Sequence, residues 1–263
     1  PYAAMGAAVF DLNQDLLPEL FITNLIVDEP LREVLLMNQG EFVFEDITEL
    51  YGANGLEVIS AQNLHRTASW GAQQFDYDND GDEDLYTAYG TITPIPFPGM
   101  TCESYSPVCM NQPNALMRND NDSGFTQLQG SGTEDNGLSR GIAAADLNED
   151  GCLDLYVVNQ NTPSRLLLNP CDHSNNYAVF HLEGTVSNRD AVGAVIQIQT
   201  QGKSQTKYIT AGATSVHSAQ PFRVHVGLGD AERIDSIVIY WPSGIEDRFE
   251  NIELDTAASN HIF

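Results

Sequence analysis

The chain has 263 residues, enough for one large β domain or two smaller ones with a substantial core. Acidic residues outnumber basic ones 37 to 11, and the net charge of −26 argues against nucleic acid as a partner and disfavours an anionic membrane surface. No apolar run reaches transmembrane length, so membrane insertion is not expected, and four cysteines predict two disulfides and an oxidising compartment.

The chain opens on Pro1-Tyr2-Ala3, which leads to the expectation that a preceding segment is removed. A first unit then unfolds as strand, loop and strands. Gly6 to Phe10 is a small-residue strand. The loop from Asp11 to Glu19 follows, with side-chain oxygens at its first, third, fifth and ninth places: Asp11, Asn13, Asp15 and Glu19. At the seventh place Leu17 offers a backbone carbonyl. The sixth place, where such a loop doubles back, is Leu16. A leucine at positive φ is strained, so this loop is expected to hold an ion more weakly or in altered geometry. Leu20 to Thr23, Val34 to Asn38 and Glu41 to Ile47 read as the remaining strands.

The second unit repeats the order with a stronger loop. Gly71 to Phe75 leads into Asp76-Tyr77-Asp78-Asn79-Asp80-Gly81-Asp82-Glu83-Asp84. Asp76, Asp78, Asp80 and Asp84 take the four side-chain places and Asp82 the carbonyl place. Gly81 sits where a positive φ is needed. Leu85 to Tyr89, Ala115 to Asn119 and Gly124 to Leu128 follow as strands. Between them, Thr91 to Gln112 is a proline-rich insert holding Cys102 and Cys109, expected to be a surface loop and the most individual binding surface of the chain. Their closeness within one insert predicts a disulfide between them.

The third unit runs from Gly141 to Asn169. Its loop carries Asp146, Asn148, Asp150 and Asp154, with Gly151 at the sixth place and the carbonyl of Cys152 at the seventh. Cys152 is left to pair with Cys171. No fourth strand is expected here.

Alternate carboxylates on a tight loop converge on one point, and that many oxygens suit a hard cation; six to eight ligands in flexible geometry is the habit of calcium. Calcium is therefore expected at the second and third loops and is possible at the first. An EF-hand is excluded, because place twelve is Ile22, Thr87 or Val157 and the flanks read as strands. Three such units, about 65 to 70 residues apart, predict four-stranded antiparallel blades of a β-propeller. Three are fewer than a propeller needs. That count, and a strand-like end at His261-Ile262-Phe263, lead to the expectation of a piece of a longer protein, its propeller completed by other segments or other chains.

These loops and strands resemble the FG-GAP/VCBS repeat family, over about residues 3 to 170. Integrin α-subunit heads share that pattern.

After Asn169 the pattern changes. Asn176 to Gly184, the alternation of Phe222, Val224, Val226 and Leu228, and Ile234 to Trp241 are strand-like, and helical periodicity is absent. A second all-β module over residues 171–263, a sandwich, is expected. Ser187-Asn188-Arg189-Asp190-Ala191-Val192-Gly193-Ala194, Val226-Gly227-Leu228-Gly229 and Trp241-Pro242-Ser243-Gly244 resemble the ASPIC/UnbV domain. The two resemblances together are similar to the cartilage-acidic-protein-like group, which implies a secreted or outer-surface protein, extracellular or periplasmic.

Other residues read as structural. Arg189 beside Asp190 is expected to hold a corner of the module by an ion pair or turn hydrogen bond. Trp70 and Trp241 are expected in packing rather than sugar stacking. The histidines lack zinc-ligand spacing, and His225 is expected to face outward. No nucleophile elbow, P-loop or dinucleotide fingerprint is present. Two functions follow. One is a non-catalytic, calcium-stabilised adhesion or surface-assembly module whose partner is a protein or glycan on a cell surface or in a matrix. The other is a secreted propeller enzyme acting on polysaccharide.

Overall fold

A computed structural model describes residues 4–24, 33–53, 68–90, 112–160, 162–211, 215, 218, 220–254 and 261–262. Cys102, Cys109 and the insert around them lie outside the described residues. The fold is all-β, and no α-helix occurs among the described residues.

Three antiparallel sheets form in chain order, each by the same route. The first joins β1 (Ala4–Phe10), β2 (Glu19–Asn24), β3 (Val34–Asn38) and β4 (Phe44–Asp46). The second joins β5 (Ser69–Phe75), β6 (Asp84–Tyr89), β7 (Ala115–Asn119) and β8 (Phe125–Gln127). The third has β9 (Ser139–Ala145), β10 (Asp154–Asn159) and β11 (Arg165–Leu167) and no fourth strand among the described residues. The fourth strand of the first sheet is shorter than the expected Glu41 to Ile47. Glu41 and Phe42 stand at φ of 50° and 62°, so they turn the chain and the ladder begins at Phe44.

The sheets stack face to face. Phe21 and Leu35 of the first sheet meet Leu85 and Met117 of the second in one buried cluster. On its other face the second sheet sets Tyr86 and Leu116 against Ile142, Leu155 and Val157 of the third. Each fully buried side chain of this kind contributes about 1.5–3 kcal/mol. The alternation along each strand therefore feeds two interfaces, and the middle sheet is buried on both sides.

Small residues on β1, β5 and β9 let these innermost strands approach closely. Gly71 shows the limit: a Cβ there would lie 3.1 Å from the Arg140 carbonyl oxygen and 2.9 Å from Ser218 Oγ. Trp70 packs here as expected, with the Arg140 guanidinium 4.1 Å from its ring centre and its Nε1 donating to the Gly90 carbonyl.

The rest of the chain makes two more sheets. One has β12 (Asn176–Phe180) between β15 (Val224–Gly229) and β18 (His261–Ile262), which runs parallel to β12. The other runs β14 (Lys203–Tyr208), β13 (Val195–Thr200), β16 (Arg233–Tyr240), β17 (Glu246–Glu253). Ala178, Phe180 and Val226 from the first share one core with Ile196, Ile198, Ile234, Ile237 and Ile239 from the second. The outer strand β17 carries Glu246, Asp247, Arg248, Glu250 and Glu253, all exposed, and a charged edge resists pairing with another chain. Trp241 packs at the margin of the core and donates from Nε1 to Asp247. Arg189 pairs with Glu183 at 3.2 Å, and not with Asp190.

Candidate metal centre

The three carboxylate loops join the first two strands of the three stacked sheets and share one backbone course. Their fourth residues, Gln14, Asn79 and Glu149, have φ of 60°, 57° and 61°. Their sixth residues, Leu16, Gly81 and Gly151, have φ of 75°, 97° and 92°. Leu16 thus holds the left-handed conformation that its sequence position predicted, without the glycine that makes it cheap.

Backbone N–H groups aim the carboxylates. Asp76 accepts from Asp80 N at 3.1 Å and Gly81 N at 2.9 Å. Asp146 accepts likewise from Asp150 and Gly151, and Asp11 from Asp15 and Leu16. At the ninth place Asp84 accepts from Tyr77 N and Asn119 N, joining the loop to the end of β7. Asp154 does the same with Leu147 and Asn169, and Glu19 with Leu12 and Asn38. The asparagine ending each third strand, noted in the sequence, therefore serves the loop, because its N–H holds the ninth carboxylate.

The loops differ in how closely their oxygens gather. Asp76, Asp78 and Asp84 each place a carboxylate oxygen within 4.8 Å of the others. Asp76 and Asp84 are buried, and Asp78 Oδ1 is buried without a hydrogen-bond partner. At an effective dielectric of about 20, each such pair of charges repels by roughly 3 kcal/mol. Burial accordingly pushes the Asp76 and Asp84 carboxyls well above the usual carboxylate range, and Asp80 up to about 6. Acceptor-only oxygens crowded in a buried loop, one of them with no proton donor, suit a hard cation.

The first and third loops do not bring three acidic side chains that close. There the third place is an asparagine whose amide donates to the fifth residue: Asn13 to Asp15 at 2.9 Å and Asn148 to Asp150 at 2.7 Å. Burial lifts Glu19 to about 7 and raises Asp11. The side chains at the seventh places are engaged away from the loop centres. Asp82 accepts from Asn121 at 2.7 Å, and Cys152 is bonded to Cys171, with Cα atoms 5.7 Å apart. His173 Nε2 lies 3.3 Å from the Cys152 sulfur, but a disulfide sulfur is no metal thiolate.

The second loop is covered by β14 and β15. Lys207, buried, is ion-paired with Glu83. Burial opposes its charge, but Glu83 and then Asp76 outweigh that and hold the ammonium above its ordinary value. Asn79 is the keystone. Its Nδ2 donates to the Gly151 carbonyl at 2.9 Å, its Oδ1 lies 2.7 Å from His225 Nε2, and its carbonyl accepts from Gly229 N at 2.8 Å. Asn175 donates to the Asp78 carbonyl, and Gln205 bridges to the Gly227 carbonyl beside Gly81. Gly227 itself leaves no room: a Cβ would stand 2.0 Å from Asp76 Oδ2 and 2.6 Å from Asn79 Cα.

His225 is a correction. It points away from its own core as alternation predicts, yet it does not meet solvent freely. It stacks on Tyr177 with ring centres 5.1 Å apart, and burial, then Lys207, lowers its pKa to about 3. Lys207, His225, Gly227 and Asn79 were not singled out as site residues from sequence. One signal existed: the two lysines of this acidic chain both fall on β14.

Between the sheets and this cover lies a cavity of about 110 Å³, reached by Gln73, Asp76, Glu83, Lys207 and His225. Residues 184–259 match the family model described as ASPIC and UnbV, so the glycine pattern Val226-Gly227-Leu228-Gly229 belongs to a matched region. The core that this region completes starts earlier, at Ala178. No curated protein matches the chain.

Proposed function

We propose that this chain is a secreted, calcium-stiffened binding module that does no chemistry. In this reading residues 1–170 are FG-GAP/VCBS blades of a β-propeller, and residues 171–263 form an ASPIC/UnbV sandwich domain seated on the blade loops. The observation that carries it is the gathering of Asp76, Asp78 and Asp84 within 4.8 Å, two of them buried and Asp78 Oδ1 unpartnered. Asp76, Asp78, Asp80, Asp84 and the carbonyl of Asp82 would hold one ion; Asp146, Asn148, Asp150, Asp154 and the carbonyl of Cys152 a second; the Asp11 to Glu19 loop a third. Calcium would supply charge balance and rigidity, not reaction chemistry. A preformed surface loses less ordering entropy on docking, which suits a partner such as a protein or glycan on a cell surface or in a matrix.

The enzyme reading draws less support. A cavity of about 110 Å³ is below the roughly 300–1,000 Å³ of ordinary small-molecule sites. Its carboxylates are spoken for, Asp76 by the loop backbone and Glu83 by Lys207. The test is a pair of melting curves, with calcium and with EDTA, alongside a turnover screen on polysaccharides. An ion that binds only the folded chain raises Tm by mass action. A Tm indifferent to EDTA, or turnover of a glycan, defeats the proposal.

A further inference from the structure

The bond between Cys152 and Cys171 ties the third loop to the strap, residues 169–175, that carries the chain into β12. Its two sulfurs meet different surroundings. Cys152 is 1% exposed, and Asn79 Nδ2 donates to its sulfur at 3.8 Å. His173 Nε2 lies 3.3 Å from the same sulfur. The other ring nitrogen, Nδ1, accepts from Asn175 N, so the neutral imidazole carries its proton on Nε2, facing Cys152. Cys171 is half-buried between exposed Pro170 and Asp172, and its sulfur lies 3.7 Å from the Asp150 carbonyl oxygen. Two N–H groups therefore favour negative charge on the Cys152 sulfur, and a carbonyl opposes it on the Cys171 sulfur. Cys171 also stands at φ 51°, a left-handed conformation that is unfavourable for a residue with a Cβ.

We propose that this disulfide is a thiol-exchange site, opened by a neutral or cationic low-molecular-weight thiol. A thiolate attacks the Cys171 sulfur, the one that solvent reaches. The bond to Cys152 breaks, a mixed disulfide forms between Cys171 and the thiol, and the electron pair leaves on Cys152. The N–H groups of Asn79 and His173 stabilise that thiolate, and a stabilised leaving sulfur departs faster. A second thiolate attacks the thiol's sulfur in the mixed disulfide and frees Cys171. Two thiols are oxidised to one disulfide, the protein bond is reduced to two cysteines, and the two protons of the thiols end on those cysteines. Asp150 and Asp172, exposed beside the bond, repel an anionic thiol. His173 acts through Cys152 and is a positioning residue.

What opens is a clasp between the loops and the C-terminal sheets. Within the strap, Asn169 donates to the Tyr77 carbonyl at 2.6 Å and Asn175 to the Asp78 carbonyl at 2.8 Å, both in the second loop, while Asn169 N holds Asp154 of the third. Just beyond it, the Tyr177 ring packs on Gly151, where a Cβ would stand 2.1 Å from it. With the bond broken, only such contacts hold the strap down, so the redox state sets how firmly the C-terminal sheets sit on the loops. The inference does not require a bound ion.

The experiment treats the whole chain with cysteamine or with 3-mercaptopropionate at low salt, quenches with iodoacetamide and maps the peptides by mass spectrometry. The trapped mixed disulfide should sit on Cys171, and the rate should be proportional to thiol concentration and unmoved by low urea. Per thiolate, cysteamine should react on the order of tenfold faster than 3-mercaptopropionate, and salt should close the gap. His173→Leu should slow opening about tenfold by removing a hydrogen bond to the leaving thiolate, and His173→Gln, which keeps an N–H donor, should recover most of the rate. An adduct on Cys152 overturns the proposal. So does a rate that climbs steeply with urea, which means that only the unfolded chain reacts, or one rate shared by wild type and both His173 variants. Equal rates for the two thiols overturn the thiol class. If His173→Leu fails to fold, the adduct position and the wild-type urea dependence decide. An adduct on Cys171 in a protein whose Tm ignores EDTA would leave this inference standing and sink the calcium reading.

Discussion

Gly227→Ala is the sharpest perturbation of the contact between the two halves of the chain. Gly227 is among the residues with no left-handed φ, so alanine suits its backbone. On backbone entropy alone the change would stabilise by about 0.4–1 kcal/mol. The surroundings reverse the sign. The new methyl would stand 2.0 Å from Asp76 Oδ2 and 2.6 Å from the Asn79 backbone, so β15 must lift off the second loop. Overpacking of this sort costs about 1–3 kcal/mol. At roughly 2–4 °C per kcal/mol for a chain of this size class, Tm should fall by about 2–12 °C. The clash falls on the first carboxylate of the loop, so the fall should be accompanied by weaker calcium binding. Differential scanning calorimetry with and without calcium reads both. A Tm equal to or above wild type would refute the packing of Gly227 onto Asp76.

Three other outcomes follow from the same geometry. In chelator, folding keeps Glu19 protonated up to about 7, against an ordinary value of 4.5. The folded chain then binds more protons than the unfolded one between those values, and the raised Asp80, Asp76 and Asp84 carboxyls act in the same direction, so Tm should fall as pH rises from about 4.5 to 7. Calcium should reverse the trend, because its ligands must be ionised; a chelated protein that gains stability across that window would contradict the burial of Glu19. Leu16→Gly should raise Tm, since Leu16 sits at φ 75° and is 45% exposed, leaving strain of about 1–2 kcal/mol to relieve and little burial to lose. A lower Tm would show that the first loop does not share the backbone of the other two. Replacing both Cys152 and Cys171 with serine should cost about 3 kcal/mol for a loop of sequence separation 19, read by urea denaturation. Non-reducing peptide maps should find those two cysteines joined.

Local pattern made the loops legible. Carboxylates at alternate places need only their own backbone to converge, and glycine at the sixth place marks the turn. The strain at Leu16, the three-stranded third sheet and the joining of Cys152 to Cys171 all follow from neighbours in sequence. What lies over the second loop was not legible. Lys207, His225 and Gly227 reach Asp76 and Asn79 only because two halves of the chain dock, and no periodicity reports docking. Alternation correctly sends His225 away from its own core, but away from one core can mean against another surface. Glu19 was legible in sequence as the ninth-place oxygen of the first loop, but its depth of burial was not. It is buried, because the N–H groups of Leu12 and Asn38 draw it inward.

Counting bound calcium by equilibrium dialysis of chelator-stripped protein tests the central claim most directly. At least two ions per chain are predicted, with one lost in Asp84→Asn, whose carboxylate joins the second loop to β7. A stripped protein that takes up no calcium at millimolar concentration would contradict the account.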